Sequence, residues 1–99
     1  MLDVSPAHEK LILEILDKLV PHSEVRVFGS RAVGSAKPYS DLDLVIMSNE
    51  PLGSVLSDLA EAFSESDLPY KVDVIDWAVT SPHFQDIIKS QAVTFKGSA

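Results

Sequence analysis

Two aspartates, Asp41 and Asp43, stand one residue apart at the start of an apolar run that continues to Met47. On a β-strand, side chains at positions i and i+2 lie on the same face, about 6.6 Å apart. Aspartate is depleted in strands, and two like charges on one face are unfavourable unless a cation neutralises them. Mg²⁺ prefers carboxylate oxygens and typically takes one or two of them together with substrate phosphates. The pair therefore predicts a divalent metal site that holds one ion, or two ions about 3.5–4 Å apart.

A third acid, Asp73, lies between two valines on the next predicted strand. Neighbouring strands are about 4.8 Å apart, so Asp73 is expected on the same face as Asp41 and Asp43 if the two strands are adjacent. Asp76 stands at odd spacing from Asp73 and is expected to point away, as a solvated or capping residue. An isolated pair of this kind is usually a strand cap beside a solvated acid. The third acid is what favours a metal site here.

A Gly-Ser turn, Gly29-Ser30, ends the strand before the acidic pair, and Arg31 follows it. Glycine permits positive φ or close approach of the backbone to a ligand. Loop amides and a serine hydroxyl can bind a phosphate oxygen, and arginine adds a fork of donors. The turn therefore predicts a phosphate-binding group opposite the metal site. Tyr39 is a further candidate for contact with a nucleotide base, whereas Lys71 is expected to be solvated.

Composition limits the classes of protein to be considered. The chain has 99 residues, 45% of them apolar, and no cysteine, so one domain spanning 1–99 with a packed core and no thiolate or disulfide chemistry is expected. No apolar run approaches the roughly 20 residues that span a bilayer, and no signal peptide precedes the first helix, so we expect a cytoplasmic location and no membrane partner. The net charge of −7 argues against extended nucleic-acid binding.

The pattern of apolar and turn residues predicts a small α/β fold. Ser5-Pro6 and Ser81-Pro82 each begin a helix, and a third helix is expected between them. The predicted elements are a helix ending at Pro21, a strand at 25–28, a loop at 29–40 with one helical turn, a strand at 42–47, a helix at 55–63, a strand at 70–75, a helix after Pro82 and a tail that forms an edge strand. This order predicts a short mixed sheet of three to four strands packed with helices.

The stretch GSRAVG, followed by five residues and then SDLDLVI, resembles the signature of the nucleotidyltransferase fold of the DNA polymerase β type. It is most similar to the smallest members, the minimal nucleotidyltransferases, which are commonly the antitoxin halves of pairs with a HEPN-domain toxin. The resemblance covers nearly the whole chain, including the third acid at Asp73.

The resemblance implies a reaction and a role for each of these residues. Asp41 and Asp43 would bind Mg²⁺, with two ions expected, and Asp73 would complete the metal site or deprotonate the acceptor. Gly29, Ser30 and Arg31 would hold the triphosphate. The implied substrate is ATP, and the implied acceptor is a hydroxyl, expected to be a tyrosine, on a HEPN-type toxin that receives AMP.

One departure from the family pattern keeps two alternatives open. Members often carry a second arginine where this chain has Val33, which favours an antitoxin that neutralises its partner by binding alone. A small-molecule nucleotidyltransferase of the antibiotic-modifying kind shares the same fold, although so short a chain leaves no room for a lid domain.

Overall fold

The computed structural model describes residues 4–34, 37 and 40–98. The structure is an open mixed sheet of four strands packed with helices, as the sequence predicted. The elements in chain order are α1 (Pro6–Leu19), β1 (Val25–Phe28), α2 (Ser30–Val33), β2 (Leu42–Ile46), α3 (Ser54–Ser64), β3 (Val72–Asp76), a 3₁₀ turn (Trp77–Val79), α4 (Pro82–Gln91) and β4 (Val93–Lys96).

Both predicted serine caps are present. The Ser5 hydroxyl accepts a hydrogen bond from the backbone N–H of His8 at the start of α1, and the Ser81 hydroxyl accepts one from Phe84 at the start of α4. In each helix a proline occupies the first turn, where its missing N–H costs nothing. The two helices therefore begin where the sequence predicted. Within the described residues, no helix is long and apolar enough to cross a membrane.

The strand order β3-β2-β1-β4 brings the ends of three strands together at one end of the sheet. β1 pairs antiparallel with β2, and β2 pairs parallel with β3 through the α3 crossover. The carboxyl end of β1 therefore lies beside the amino ends of β2 and β3. We call this the acidic end of the sheet, because Asp41 and Asp43 lie where β2 begins and Asp73 lies where β3 begins.

The core fixes which face of the sheet the acids occupy. Alternate residues of β2, Leu42, Leu44 and Ile46, are fully buried against α1 and α3. Burying each such side chain contributes roughly 1.5–3 kcal/mol, and a one-residue slip of register would move all three to the opposite face. Asp43 is thereby held on the opposite face, which α4 covers in part through an edge-to-face contact between Phe84 and Phe28.

Asp76 points away from the other acids, as expected, but it is buried rather than solvated. Its Oδ1 accepts a hydrogen bond of 2.6 Å from the Ser48 hydroxyl and one of 3.2 Å from the Ala78 N–H. Its Oδ2 accepts one of 2.8 Å from the Leu52 N–H. The carboxylate therefore caps the 3₁₀ turn and ties it to the segment after β2. Three donors offset its desolvation, which explains why it tolerates burial.

Replacing Asp76 with alanine is expected to lower the free energy of unfolding by about 2–4 kcal/mol, because it leaves buried donors without an acceptor. Urea unfolding followed by circular dichroism measures this. Asp58→Ala is the control, since Asp58 lies exposed on α3 and exposed substitutions usually stay within about 0.5 kcal/mol. Equal stability of the two variants would show that the Asp76 hydrogen bonds contribute nothing.

Candidate active site

Asp43 and Asp73 lie side by side at the acidic end of the sheet. They are direct partners in the parallel register of β2 and β3, and Phe28 is the direct partner of Asp43 on β1. Directly opposite residues share a face of the sheet, so one row runs Phe28, Asp43, Asp73. The sequence analysis assumed that the strands carrying Asp43 and Asp73 are neighbours, and the structure confirms it. Two of the three predicted acids are therefore in contact.

The carboxyl group of Asp43 is in an unfavourable place for a negative charge. Its pKa is raised above the usual 3.8, first by burial and then by the charges of Asp73 and Asp41, with a hydrogen bond to Asp73 acting in the same direction. The ammonium group of Lys71 lowers the pKa of Asp43, but by less. Ionised Asp43 is therefore stabilised by any further cation that reaches this face.

Asp41 lies beside this pair rather than within it. It is exposed, immediately before β2, and its charge contributes to the raised pKa of Asp43. In the part of the chain that the structure describes, no three acidic, histidine or cysteine side chains are grouped closely enough to hold a metal ion. The predicted convergence is thus seen for Asp43 and Asp73, with Asp41 alongside.

The pair nevertheless fits a hard divalent cation that arrives with a nucleotide. Mg²⁺ is usually bound by one or two carboxylates plus substrate phosphates rather than by a cage of protein ligands. Two adjacent carboxyl groups, one with a pKa raised first by burial and then by its acidic neighbours, supply such a set of oxygens and gain from the added positive charge.

Gly29 brings the backbone against the Asp43 carboxylate. Its φ is 85°, in the region that favours glycine. A Cβ atom at this position would lie 2.8 Å from Asp43 Oδ2, so any side chain here would force the Asp43 carboxylate to move. Both reasons for a glycine, positive φ and a close approach, apply here. Ser30 follows as the first residue of α2, so the Gly-Ser turn lies next to the acids.

Arg31 is buried, with 5% of its surface exposed. Its Nε donates to the carbonyl oxygen of Ser40 at 3.0 Å, and its Nη2 donates to that of Lys37 at 3.4 Å. The guanidinium carbon lies 3.8 Å from the centre of the Tyr70 ring. Several of its donors are therefore directed at the protein itself. Tyr39, the candidate for a base contact, lies outside the described residues.

Lys71 belongs to this face, although the sequence analysis did not place it in the site. Its Nζ lies 3.3 Å from Asp73 Oδ1, and its side chain is 72% exposed, as expected for a solvated lysine. The backbone N–H of Leu42 donates to its carbonyl oxygen at 2.9 Å, which fixes Lys71 next to the start of β2. Its spacing of two residues from Asp73 was the available signal, since i and i+2 share a strand face.

The family model for the nucleotidyltransferase domain matches residues 9–96. The chain belongs to the nucleotidyltransferase family. The match includes the Gly-Ser turn and all three acids, and it confirms the resemblance of the GSRAVG and SDLDLVI stretches. One relative is the probable protein adenylyltransferase MntA of Haemophilus influenzae, to which the chain is 50% identical over 96 residues, or 96% of this chain and 84% of the relative.

Solved structures with the same fold come from toxin–antitoxin complexes. A toxin–antitoxin with AMP-PNP aligns with a TM-score of 0.77 at 24% identity, covering 91% of this chain and 73% of that one. The tri-AMPylated HEPN toxin of Shewanella oneidensis in complex with MNT antitoxin aligns with a TM-score of 0.68 at 22% identity, covering 91% of this chain and 70% of that one. At these identities the likeness establishes the fold of this nucleotidyltransferase domain.

Proposed function

We propose that this nucleotidyltransferase-family protein transfers AMP from ATP to a hydroxyl group of a partner HEPN-type toxin, and so acts as its antitoxin in the cytoplasm. The observation that carries the proposal is the pairing of Asp43 with Asp73 on one face of the sheet, with Gly29 packed against the Asp43 carboxylate. The 50% identity to a protein named a probable protein adenylyltransferase supports the same reaction.

Asp41, Asp43 and Asp73 are assigned to binding Mg²⁺, with two ions expected. Bound metal ions would stabilise the charge on the attacking and leaving oxygens of an in-line displacement. Gly29 and Ser30 are assigned to the triphosphate, where backbone N–H groups and the serine hydroxyl would neutralise the departing pyrophosphate.

Asp73 is also the candidate general base. The acceptor oxygen forms a bond to the α-phosphorus, the bond from that phosphorus to pyrophosphate breaks, and the acceptor proton passes to a carboxylate oxygen of Asp73. Asp73 suits this role because it lies on β3, at one edge of the sheet, with a side chain that is 42% exposed. A partner protein can therefore approach it from outside the sheet.

The toxin as acceptor is supported by the complexes that share this fold. One of them contains a HEPN toxin that carries AMP and is bound to MNT antitoxin. By the family resemblance, we expect the acceptor to be a tyrosine.

A binding-only antitoxin is the second candidate, and Val33 is the observation that favours it. Val33 ends α2 with 61% of its surface exposed, where many family members carry an arginine. If a cation at this position is needed to hold the triphosphate, neutralisation of the toxin would occur without chemistry.

ATP labelled at the α-phosphate should transfer its label to a HEPN-type partner protein in the presence of Mg²⁺, and ATP labelled at the γ-phosphate should not. Asp41→Asn is expected to lower the labelling at least about 100-fold, because a change next to a metal ligand can already cost 10–100-fold in activity. Asp58→Asn, an exposed acid on α3, serves as the control. Toxin neutralisation that survives Asp41→Asn, without any label transfer by the wild type, would instead establish the binding-only antitoxin.

A further inference from the structure

Arg31 contacts the chain at the entries to both strands that carry the acids. On one side its Nε and Nη2 donate to the carbonyl oxygens of Ser40 and Lys37, and Ser40 is the residue immediately before Asp41. On the other side its guanidinium lies over the ring of Tyr70, two residues before β3. Because β2 and β3 are parallel, their entries lie at the same end of the sheet, and one buried side chain reaches both.

The Ser40 side of this contact is well defined. The Ser40 N–H donates to the Lys37 carbonyl oxygen at 3.0 Å, and the Lys37 N–H donates to the Ser40 hydroxyl at 2.9 Å. These two hydrogen bonds join Lys37 to Ser40, and both of their carbonyl groups face Arg31. Displacement of Arg31 would therefore be transmitted to Ser40 and to the adjacent Asp41.

The Tyr70 side is equally constrained. Tyr70 is 8% exposed, and its hydroxyl is 3.2 Å from His8 Nδ1, so α1 fixes the ring on which the guanidinium stacks. The next residue, Lys71, accepts a hydrogen bond from Leu42 through its carbonyl oxygen. The ring and the start of β3 are thus held in one arrangement with the start of β2.

We propose that Arg31 is a positioning residue that fixes Asp41 relative to Asp73 and thereby sets the affinity of the site for a nucleotide carrying a divalent cation. The sequence suggested a phosphate ligand, but the Nε and Nη2 atoms already donate to backbone carbonyl groups, and the side chain is buried, which favours a structural role within the site. Arginine suits the positioning role because its planar fork can bind two carbonyl groups while its face stacks on an aromatic ring. Lysine offers the charge without that geometry. The cation and nucleotide rest on the proposed function, whereas the contacts that hold the strand entries do not.

Arg31→Lys tests the inference, with Arg26→Lys as the matched control. Arg26 lies on β1, where it forms an ion pair with Glu24 and is the register partner of Val45, two residues beyond Asp43. The probe is α,β-methylene-ATP, which cannot release pyrophosphate, titrated calorimetrically with Mg²⁺ and again with EDTA. Arg31→Lys should weaken binding about tenfold with Mg²⁺, at the lower end of what residues behind metal ligands contribute, and leave binding in EDTA unchanged. Arg26→Lys should match the wild type in both. An equal loss with and without Mg²⁺ would make Arg31 a phosphate ligand, and no loss would make it a merely structural residue; either overturns the proposal.

Hydrogen exchange of the backbone amides tests the same inference without any nucleotide. In Arg31→Lys, the amides of Ser40 and Leu42 should exchange at least several-fold faster, while those of α4 keep the wild-type rate. Tyr70→Leu, which removes the stacked ring, should act in the same direction if Arg31→Lys does not fold, and Tyr70→Phe, which keeps the ring, should not. Unchanged exchange at Ser40 and Leu42 would overturn the inference. Absence of nucleotide binding by the wild type, alone and with its partner, would overturn the proposed function but leave this test intact.

Discussion

Asparagine in place of Asp43 should make the protein more stable and abolish its nucleotidyl transfer. The folded state raises the pKa of Asp43, through burial and through the charges of Asp73 and Asp41, so ionisation of this carboxyl opposes folding. Like charges directly opposite on neighbouring strands cost roughly 0.2–1 kcal/mol, and each kcal/mol shifts the Tm of a domain of this size by about 4–8 °C. We therefore expect Asp43→Asn to raise the Tm by about 2–6 °C at pH 7 without Mg²⁺.

The stability gained by Asp43→Asn should depend on pH. An acid whose pKa is higher in the folded state stabilises the fold fully below its unfolded pKa, here about 3.8, and loses that contribution as the pH rises through the folded value. The advantage of Asp43→Asn should therefore be smallest near pH 3.8 and grow as the pH rises towards 7. Thermal unfolding followed by circular dichroism across this range measures it. A lower Tm for Asp43→Asn than for the wild type at pH 7, or a gain in Tm that does not change with pH, would contradict the claim that ionisation of Asp43 destabilises the fold.

The same substitution should silence the proposed reaction. Transfer of AMP to the partner should fall at least about 100-fold, since even changes behind metal ligands cost 10–100-fold. Mg²⁺ with nucleotide should raise the Tm of the wild type and leave that of Asp43→Asn nearly unchanged, because binding stabilises only a protein that has the site. Asp58→Asn, which removes an equal charge from the surface of α3, should respond to Mg²⁺ and nucleotide as the wild type does. Stability and activity would then vary in opposite directions at one residue.

Local sequence patterns were sufficient to predict the strand face of Asp41 and Asp43 and the conformation of Gly29. The alternation of Asp41 and Asp43 with Leu42 and Leu44 predicts opposite faces because the strand period is two, and burial of the leucines makes the choice of face unambiguous. The glycine at position 29 was predicted to allow positive φ or a close approach to a ligand; the structure shows the positive φ, and the close approach that it shows is to the Asp43 carboxylate. These features depend on residues close in the chain.

Features that depend on distant residues could not be predicted in the same way. The exact pairing of Asp43 with Asp73 requires the register between two strands joined by a helix, which packing decides. Asp76 tolerates burial because Ser48 and Leu52 donate hydrogen bonds to its carboxylate. Both residues lie more than 20 positions earlier in the sequence. The neighbours of Arg31 in the sequence indicate a phosphate ligand. Its contacts with Tyr70 and with the residues before Asp41 form only when the chain folds, so the sequence could not predict them.

Alanine in place of Gly29 is expected to damage both the fold and the site, and Gly53 provides an unusually close control. Gly29 has φ 85° and ψ −157°, and Gly53 has φ 59° and ψ −131°, so each precedes a helix in a conformation that strongly favours glycine. Holding alanine there costs about 1–3 kcal/mol. The two differ in their surroundings: a Cβ at Gly29 meets Asp43 Oδ2 at 2.8 Å, and a Cβ at Gly53 meets nothing within 4 Å.

The difference between the two variants isolates the contact with Asp43. Gly53→Ala should lose about 1–3 kcal/mol of unfolding free energy, and Gly29→Ala should lose a further 1–3 kcal/mol or so, the usual range for an overpacked contact. Urea unfolding measures both. Only Gly29→Ala should also reduce AMP transfer, because the Asp43 carboxylate must move to make room for the new methyl group.

In the double variant with Asp43→Gly, the extra loss at position 29 should disappear, since the contact no longer exists. If the extra loss remained without Asp43, or if the two alanine variants were equally stable, the close approach of Gly29 to the acid would have no energetic role.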